Sequence, residues 1–160
     1  VKIYKSKMKK EFAKLELVWR SRQGGKGRTE RKYLDFTVNG QSLKNILKIG
    51  DYIGCLGWTS QEVENNILDQ LFLRIPSDLG NDRYSIYVCP ECGDIGFGVI
   101  TVQIEKTSDG YVWKNFGYEN NYDDSMRNFE SYKRIGPFYF KESEYKQALM
   151  NRPPWSHDSP

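Results

Sequence analysis

The 160 residues, 38% apolar and 14% aromatic, suffice for one hydrophobic core, and no run approaches the roughly 18 to 20 apolar residues of a membrane-spanning helix. The net charge of +3 conceals a segregation: residues 1–32 carry twelve Lys and Arg against three Glu, and residues 33–160 carry twelve basic against eighteen acidic side chains. A basic arm on an acidic body bears on partners rather than on fold. An odd count of three cysteines, with no apolar stretch after Lys10, points away from a secreted disulfide scaffold and toward the cytoplasm.

Taken in order, Val1 to Lys10 is lysine-rich without apolar periodicity, a loosely held segment or an edge strand. Phe12, Leu15, Leu17 and Trp19 alternate with polar residues and predict a strand. Ser21 to Thr29 is a basic, glycine-rich loop. Tyr33 to Val38 predicts a second strand with Leu34, Phe36 and Val38 on one face, ended by the turn pair Asn39-Gly40. Ser42 is placed to cap a short helix carrying Leu43, Ile46 and Leu47, which Gly50-Asp51 closes. A connector containing Cys55 follows. Thr59 or Ser60 then opens a longer helix in which Val63, Ile67, Leu68, Leu71 and Phe72 share a face.

Three apolar β-type runs come next within Tyr84 to Tyr122, the third beginning at Tyr111, with Ile100, Val102 and Ile104 alternating against Thr101, Gln103 and Glu105. The first two are separated by Cys89-Pro-Glu-Cys92-Gly93, and Ser108-Asp-Gly110 has hairpin turn chemistry. A polar stretch runs from Tyr122 to Ser131, then a strand at Gly136–Phe140 and a helix from Lys141 to Met150 with Tyr145, Ala148 and Leu149 facing inward. The expected fold is α+β: a mainly antiparallel sheet of five to six strands with two or three helices packed on it. Residues 1–150 are expected to form a single domain, and 151–160 a mobile proline-rich tail.

Several patterns bear on chemistry. Cys89 and Cys92 have the spacing of a zinc knuckle, but a tetrahedral site needs four ligands, and only Cys55 and His157 remain to complete it. A redox role requires a helix after the pair to lower the thiol pKa, and the glycines and β-branched residues that follow predict a strand. For the same reason Gly93 to Gly98 is a turn and not a dinucleotide loop. Arg20, Arg22, Lys26, Arg28, Arg31 and Lys32, with Trp19 and Tyr33 interleaved, could meet nucleic acid phosphates and bases, although the acidic body opposes this. His157 is the only histidine, and Asp123-Asp124 are adjacent acids in a polar loop, so no hydrolytic triad or carboxylate pair is expected. The chain is read as a non-enzyme without a cofactor.

The segments Tyr87-Val-Cys-Pro-Glu-Cys-Gly-Asp-Ile-Gly, Val112-Trp-Lys-Asn-Phe-Gly-Tyr-Glu-Asn-Asn-Tyr and Ile135-Gly-Pro-Phe-Tyr-Phe-Lys together resemble a family of small, functionally uncharacterised bacterial proteins. Some members carry an oxidoreductase label. The resemblance spans roughly Tyr33 to Met150, and where members often have a further cysteine this chain has Phe97, which removes a possible third metal ligand. In kind, a small α+β protein of this sort is also similar to the immunity proteins of polymorphic toxin and contact-dependent inhibition systems. That resemblance implies stoichiometric neutralisation of a cognate toxin domain, commonly a nuclease, whose basic surface would suit an acidic body. The aromatic and acidic run around the end of the third β segment supplies the expected contacts: Trp113, Tyr118, Glu119, Tyr122, Asp123 and Asp124. A thiol-redox or zinc-binding protein centred on Cys89 and Cys92 is the alternative, and a nucleic-acid-binding module the second.

Overall fold

The computed structural model describes residues 11–120, 125 and 127–154; the expectation for Val1 to Lys10 lies outside them. Within them the chain is α+β with two antiparallel sheets, of three and five strands.

The first sheet joins β1 (Leu15–Arg22), β2 (Arg31–Val38) and β3 (Gln41–Ser42). β1 and β2 pair from Leu15↔Val38 to Arg22↔Arg31, so the basic loop is the hairpin tip between them. Asn39 and Gly40 both take positive φ, 52° and 80°, the requirement of a two-residue hairpin turn. Ser42 caps α1 (Leu43–Leu47) by accepting from the Asn45 N–H at 3.3 Å. The helix closes earlier than Gly50, because Lys48 adopts the left-handed conformation that ends it.

The second sheet is a meander in the order β4 (Ile53–Gly54), β5 (Arg83–Val88), β6 (Val99–Lys106), β7 (Gly110–Glu119), β8 (Phe138–Lys141). Ile100, Val102 and Ile104 are buried as their alternation predicts. The β6–β7 reversal is closed by Thr107 N–H to Gly110 O at 2.8 Å, with the Thr107 hydroxyl accepting from Gly110. The two sheets meet where Leu34 N–H donates to Leu56 O at 2.9 Å. Gly54 permits that approach: a Cβ there would overlap the Leu34 carbonyl.

α2 (Gln61–Leu71) starts at Ser60, whose hydroxyl accepts from Val63 N–H, and α3 (Glu142–Met150) follows β8 directly. One assignment of faces differs from the spacing. Val63 is 46% exposed and Glu64 is buried, because the Glu64 carboxylate accepts from Gly57 N–H at 2.8 Å and pairs with Arg152 at 2.8 Å. Residues 151–154 lie against the body of the fold. Arg152 is tied to α2, and Trp19 Nε1 donates to Pro153 O at 2.5 Å.

The core centres on Trp113, which has no exposed surface. Its ring meets Phe36 and Phe140 edge-on at 5.4 and 5.7 Å, and its Nε1 donates to the Tyr145 hydroxyl at 3.1 Å. Tyr145 donates in turn to Leu71 O at 2.7 Å and stacks on Tyr111 at 4.1 Å. One aromatic cluster thus links both sheets, α2 and α3, and burying rings of this size is the largest favourable contribution available to such a domain. No helix is long and apolar enough to cross a membrane among the described residues.

Candidate functional site: the cysteine knuckle and its aromatic rim

β5 ends at Val88, and the chain reverses through Cys89, Pro90, Glu91 and Cys92. Gly93 closes the reversal with its N–H on Cys89 O at 2.9 Å and a φ of 71°. Asp94 then caps a single 3₁₀ turn, Ile95–Phe97, by accepting from Gly96 N–H at 2.9 Å. Gly98 carries the turn into β6 at φ 89°, with the Tyr118 ring resting where a Cβ would stand. Asn120 donates to Gly96 O at 3.0 Å, so the far end of β7 holds the turn in place.

The knuckle brings two thiols together. Cys92 Sγ donates to Cys89 Sγ at 3.7 Å, and Asp94 N–H points to Cys92 Sγ at 3.4 Å. Partial burial raises the Cys89 pKa, but the amides of Cys92 and Glu91, the Cys92 thiol and the Gly93 amide outweigh it, leaving Cys89 below its ordinary value. Cys92 moves the opposite way: the Asp94 amide lowers it, but burial and the neighbouring Cys89 sulfur together raise it. The sulfurs differ in access, Cys92 exposed and Cys89 half-buried. In a thioredoxin-like pair the activating element is a helix N-terminus behind the first thiol. Here a 3₁₀ turn and a strand follow.

Cys55 does not join them. It is wholly buried, and burial pushes its thiol up to about 12. Among the described residues no three His, Cys, Asp or Glu side chains converge as a metal site. His157, the fourth ligand considered from sequence, lies outside the described residues.

The basic hairpin loop is clamped to the knuckle. Glu91 accepts from Thr29 N–H at 3.0 Å, from the Thr29 hydroxyl at 2.6 Å and from Arg22 at 2.7 Å. The Thr29 bonds first and Arg22 after them hold its carboxyl down at about 2. Arg22, nearly buried, also forks onto Asp51 at 2.7 and 2.9 Å. Arg31 donates to Pro90 O at 2.8 Å and lies 4.6 Å over the Trp58 ring. Arg20 pairs with the buried Asp35, which also accepts from Ser42 and Tyr87. The basic cluster considered for nucleic acid therefore meets much of its countercharge inside the fold. Of the two interleaved aromatics, Tyr33 is buried and Trp19 is bonded to Pro153.

Around the thiols stands an aromatic rim. Phe97 projects from the 3₁₀ turn with 66% of its surface exposed. Tyr118 packs edge-on against Tyr52 at 6.3 Å, both half-buried, and burial together with Tyr118 raises Tyr52 to about 12. Trp58, anchored by its Nε1 on Gly54 O at 2.9 Å, lies beside Gly93. Next to the rim, between α2 and the sheet, is a cleft of about 720 Å³ whose walls include Trp58, Val63, Ile67, Tyr84, Cys92 and Ile95. Thr59 Oγ1 and Ser85 Oγ, both buried in its lining, have no hydrogen-bond partner among the described residues.

The contacts expected from sequence divide against this geometry. Tyr118 is on the rim. Trp113 is in the core and offers no surface to a partner. Glu119 is buried, its carboxylate accepting from Arg83 Nε at 2.9 Å and from the Thr101 hydroxyl at 2.5 Å. Both corrections come from tertiary contacts: Trp113 is flanked by Ile104 of β6 and Phe138 of β8, and Glu119 pairs with Val99 of β6 while Arg83 and Thr101 hold its carboxylate. Tyr122, Asp123 and Asp124 lie outside the described residues. Sequence reasoning passed over Phe97, Trp58, Tyr52 and Glu91. A usable signal existed for the first, since a lone aromatic between two glycines, Gly96-Phe97-Gly98, has no strand or helix to bury it.

Compared with protein-family models, curated proteins and solved structures, the chain finds no match.

Proposed function

We propose that this chain is a protein-binding module, an immunity protein that neutralises a cognate toxin domain by stoichiometric binding through the knuckle and its aromatic rim. The observation that carries the reading is Phe97: a large apolar side chain held out to solvent on a turn fixed by Asp94, Asn120 and Tyr118. A rigid exposed aromatic loses little conformational entropy on docking, which is why such residues anchor interfaces. The adjoining cleft of about 720 Å³, walled by Trp58, Val63, Ile67 and Ile95, suits an apolar side chain from the partner. The acidic body, eighteen carboxylates against twelve basic residues after Lys32, favours a basic partner such as a nuclease. A cytoplasmic location accords with three free cysteines, Cys55, Cys89 and Cys92.

The test is calorimetry against the toxin domain encoded beside this gene. We expect a 1:1 complex of nanomolar-class affinity, about 12 kcal/mol. A phenylalanine carries roughly 200 Å² of surface, and with 66% of it exposed about 130 Å² remains for a partner to bury. At ~25 cal/mol per Å² that is about 3 kcal/mol, so Phe97→Asp should weaken binding by at least ~100-fold. Absence of binding by the parent chain at tens of micromolar, or an unchanged affinity of the variant, would each overturn the assignment, the first of function and the second of site.

A further inference from the structure

We propose that Cys89 and Cys92 are half of a zinc site that a second copy of this chain completes, four thiolates around one metal on a two-fold axis. In tetrahedral zinc thiolate the Zn–S bond is about 2.3 Å, which sets the S···S edge at about 3.8 Å. The two sulfurs here stand 3.7 Å apart, already at the bite the metal requires. A thiol–thiol hydrogen bond alone could hold that distance. It does not account for the Asp94 amide, which points to Cys92 Sγ at 3.4 Å. An amide aimed at sulfur stabilises thiolate, the ligating form.

Ligand number then decides the partner. Zinc takes four ligands in closed structural sites; among the described residues the knuckle supplies two, Cys55 is sealed in the core and no third ligand converges on the pair. A two-fold axis through the metal sets an identical edge opposite, so the shell closes without any other residue. Cys92 is exposed and Cys89 partly exposed, and on the turn that follows the exposed Phe97 and half-exposed Ile95 give two such knuckles apolar area to bury against each other. The chemistry balances: four thiols lose four protons to solvent as four Zn–S bonds form, with no oxidant. The tetrathiolate so formed is a dianion, and each protomer brings the Arg31 guanidinium against the knuckle, on the Pro90 and Glu91 carbonyls, to offset it.

The experiment uses the full chain, purified without a histidine tag, with zinc quantified and mass measured by light scattering with and without a chelator. The expected result is half an equivalent of zinc per protomer, a dimer that chelation returns to monomer, and loss of both on Cys92→Ser, with zinc affinity lowered more than ~100-fold. Cobalt in place of zinc should show the intense visible absorption of a tetrahedral thiolate site, and Cys55→Ala should leave it unchanged. One zinc per monomer would overturn the proposal, since the chain would then complete the site alone. So would a metal-free chain whose Cys89 and Cys92 form a disulfide with glutathione disulfide, which would make the knuckle a redox pair. The toxin plays no part in these measurements, so their outcome is independent of the proposed function.

Discussion

Glu119 distinguishes a surface contact from a structural ion pair. Its side chain is 3% exposed and faces Arg83, 12% exposed, at 2.9 Å, with Thr101 donating to the same oxygen and Arg127 at 3.7 Å from the other. Removing one partner of a buried pair costs ~3–5 kcal/mol because the other charge stays desolvated. Arg83 would keep two hydrogen bonds, to Thr101 and to Asn115 O at 2.6 Å, and the face of Phe129 at 4.3 Å. The lower end therefore applies, about 3 kcal/mol for Glu119→Ala. For a domain of this size each kcal/mol moves the melting temperature by ~2–4 °C, so the variant should melt ~6–12 °C lower. Glu119→Gln keeps the shape and an acceptor for Arg83, and should lose about half as much. Thermal melts by circular dichroism, checked by urea titration, give both numbers. A Glu119→Ala protein that melts within ~1 °C of the parent but loses its toxin would refute the burial argument and return Glu119 to the interface.

The core makes a matching prediction: Tyr145→Phe leaves Trp113 Nε1 and Leu71 O without their buried partner, and should cost about 2–4 kcal/mol in urea unfolding. Thiol labelling should sort the cysteines by environment, with Cys92 reacting in the native protein and Cys55, held at about 12 by burial, reacting only on unfolding. The loop clamp should be pH-dependent in one direction. The folded pKa of Glu91 is depressed to about 2, so its contribution is fully present above the ordinary value of 4.5 and is lost as pH falls from there toward 2. Hydrogen exchange at the Thr29 amide, which donates to that carboxylate, should lose protection over this window, and Glu91→Gln should remove that dependence.

The local order of the chain was legible because each element carries its own stop signal. Asn39-Gly40, Ser42, Ser60 and Thr107 to Gly110 sit where the structure turns or caps. Period-2 alternation likewise placed Ile100, Val102 and Ile104 inward. What local pattern does not carry is the layer a strand occupies. β7 ends in an aromatic and acidic run that reads as an exposed tip, but β6 runs beside it to Glu119, β8 covers it as far as Trp113, and Trp113 and Glu119 are enclosed. Polar groups 62 residues apart in the chain, Thr29 and Glu91, likewise meet only through the fold. The asymmetry between a basic arm and an acidic body is real in the sequence, yet Arg22 and Arg31 turn toward the knuckle rather than away from the protein.

Both proposals use the exposed Phe97 on the turn that follows the knuckle, and this ties them together. A zinc-bridged dimer buries Phe97 against a second knuckle, so the same side chain cannot then anchor a toxin. Binding to a fractionally populated competent state weakens in proportion to that fraction. Where zinc holds ~99% of protomers as dimer, the apparent toxin affinity should fall ~100-fold, and a chelator should restore it. Cys92→Ser should bind toxin as tightly with zinc as the parent does without it, since Phe97 and its supports remain. Toxin affinity that is indifferent to zinc, in a chain shown to dimerise on zinc, would mean that the two surfaces are separate and that the toxin docks away from Phe97.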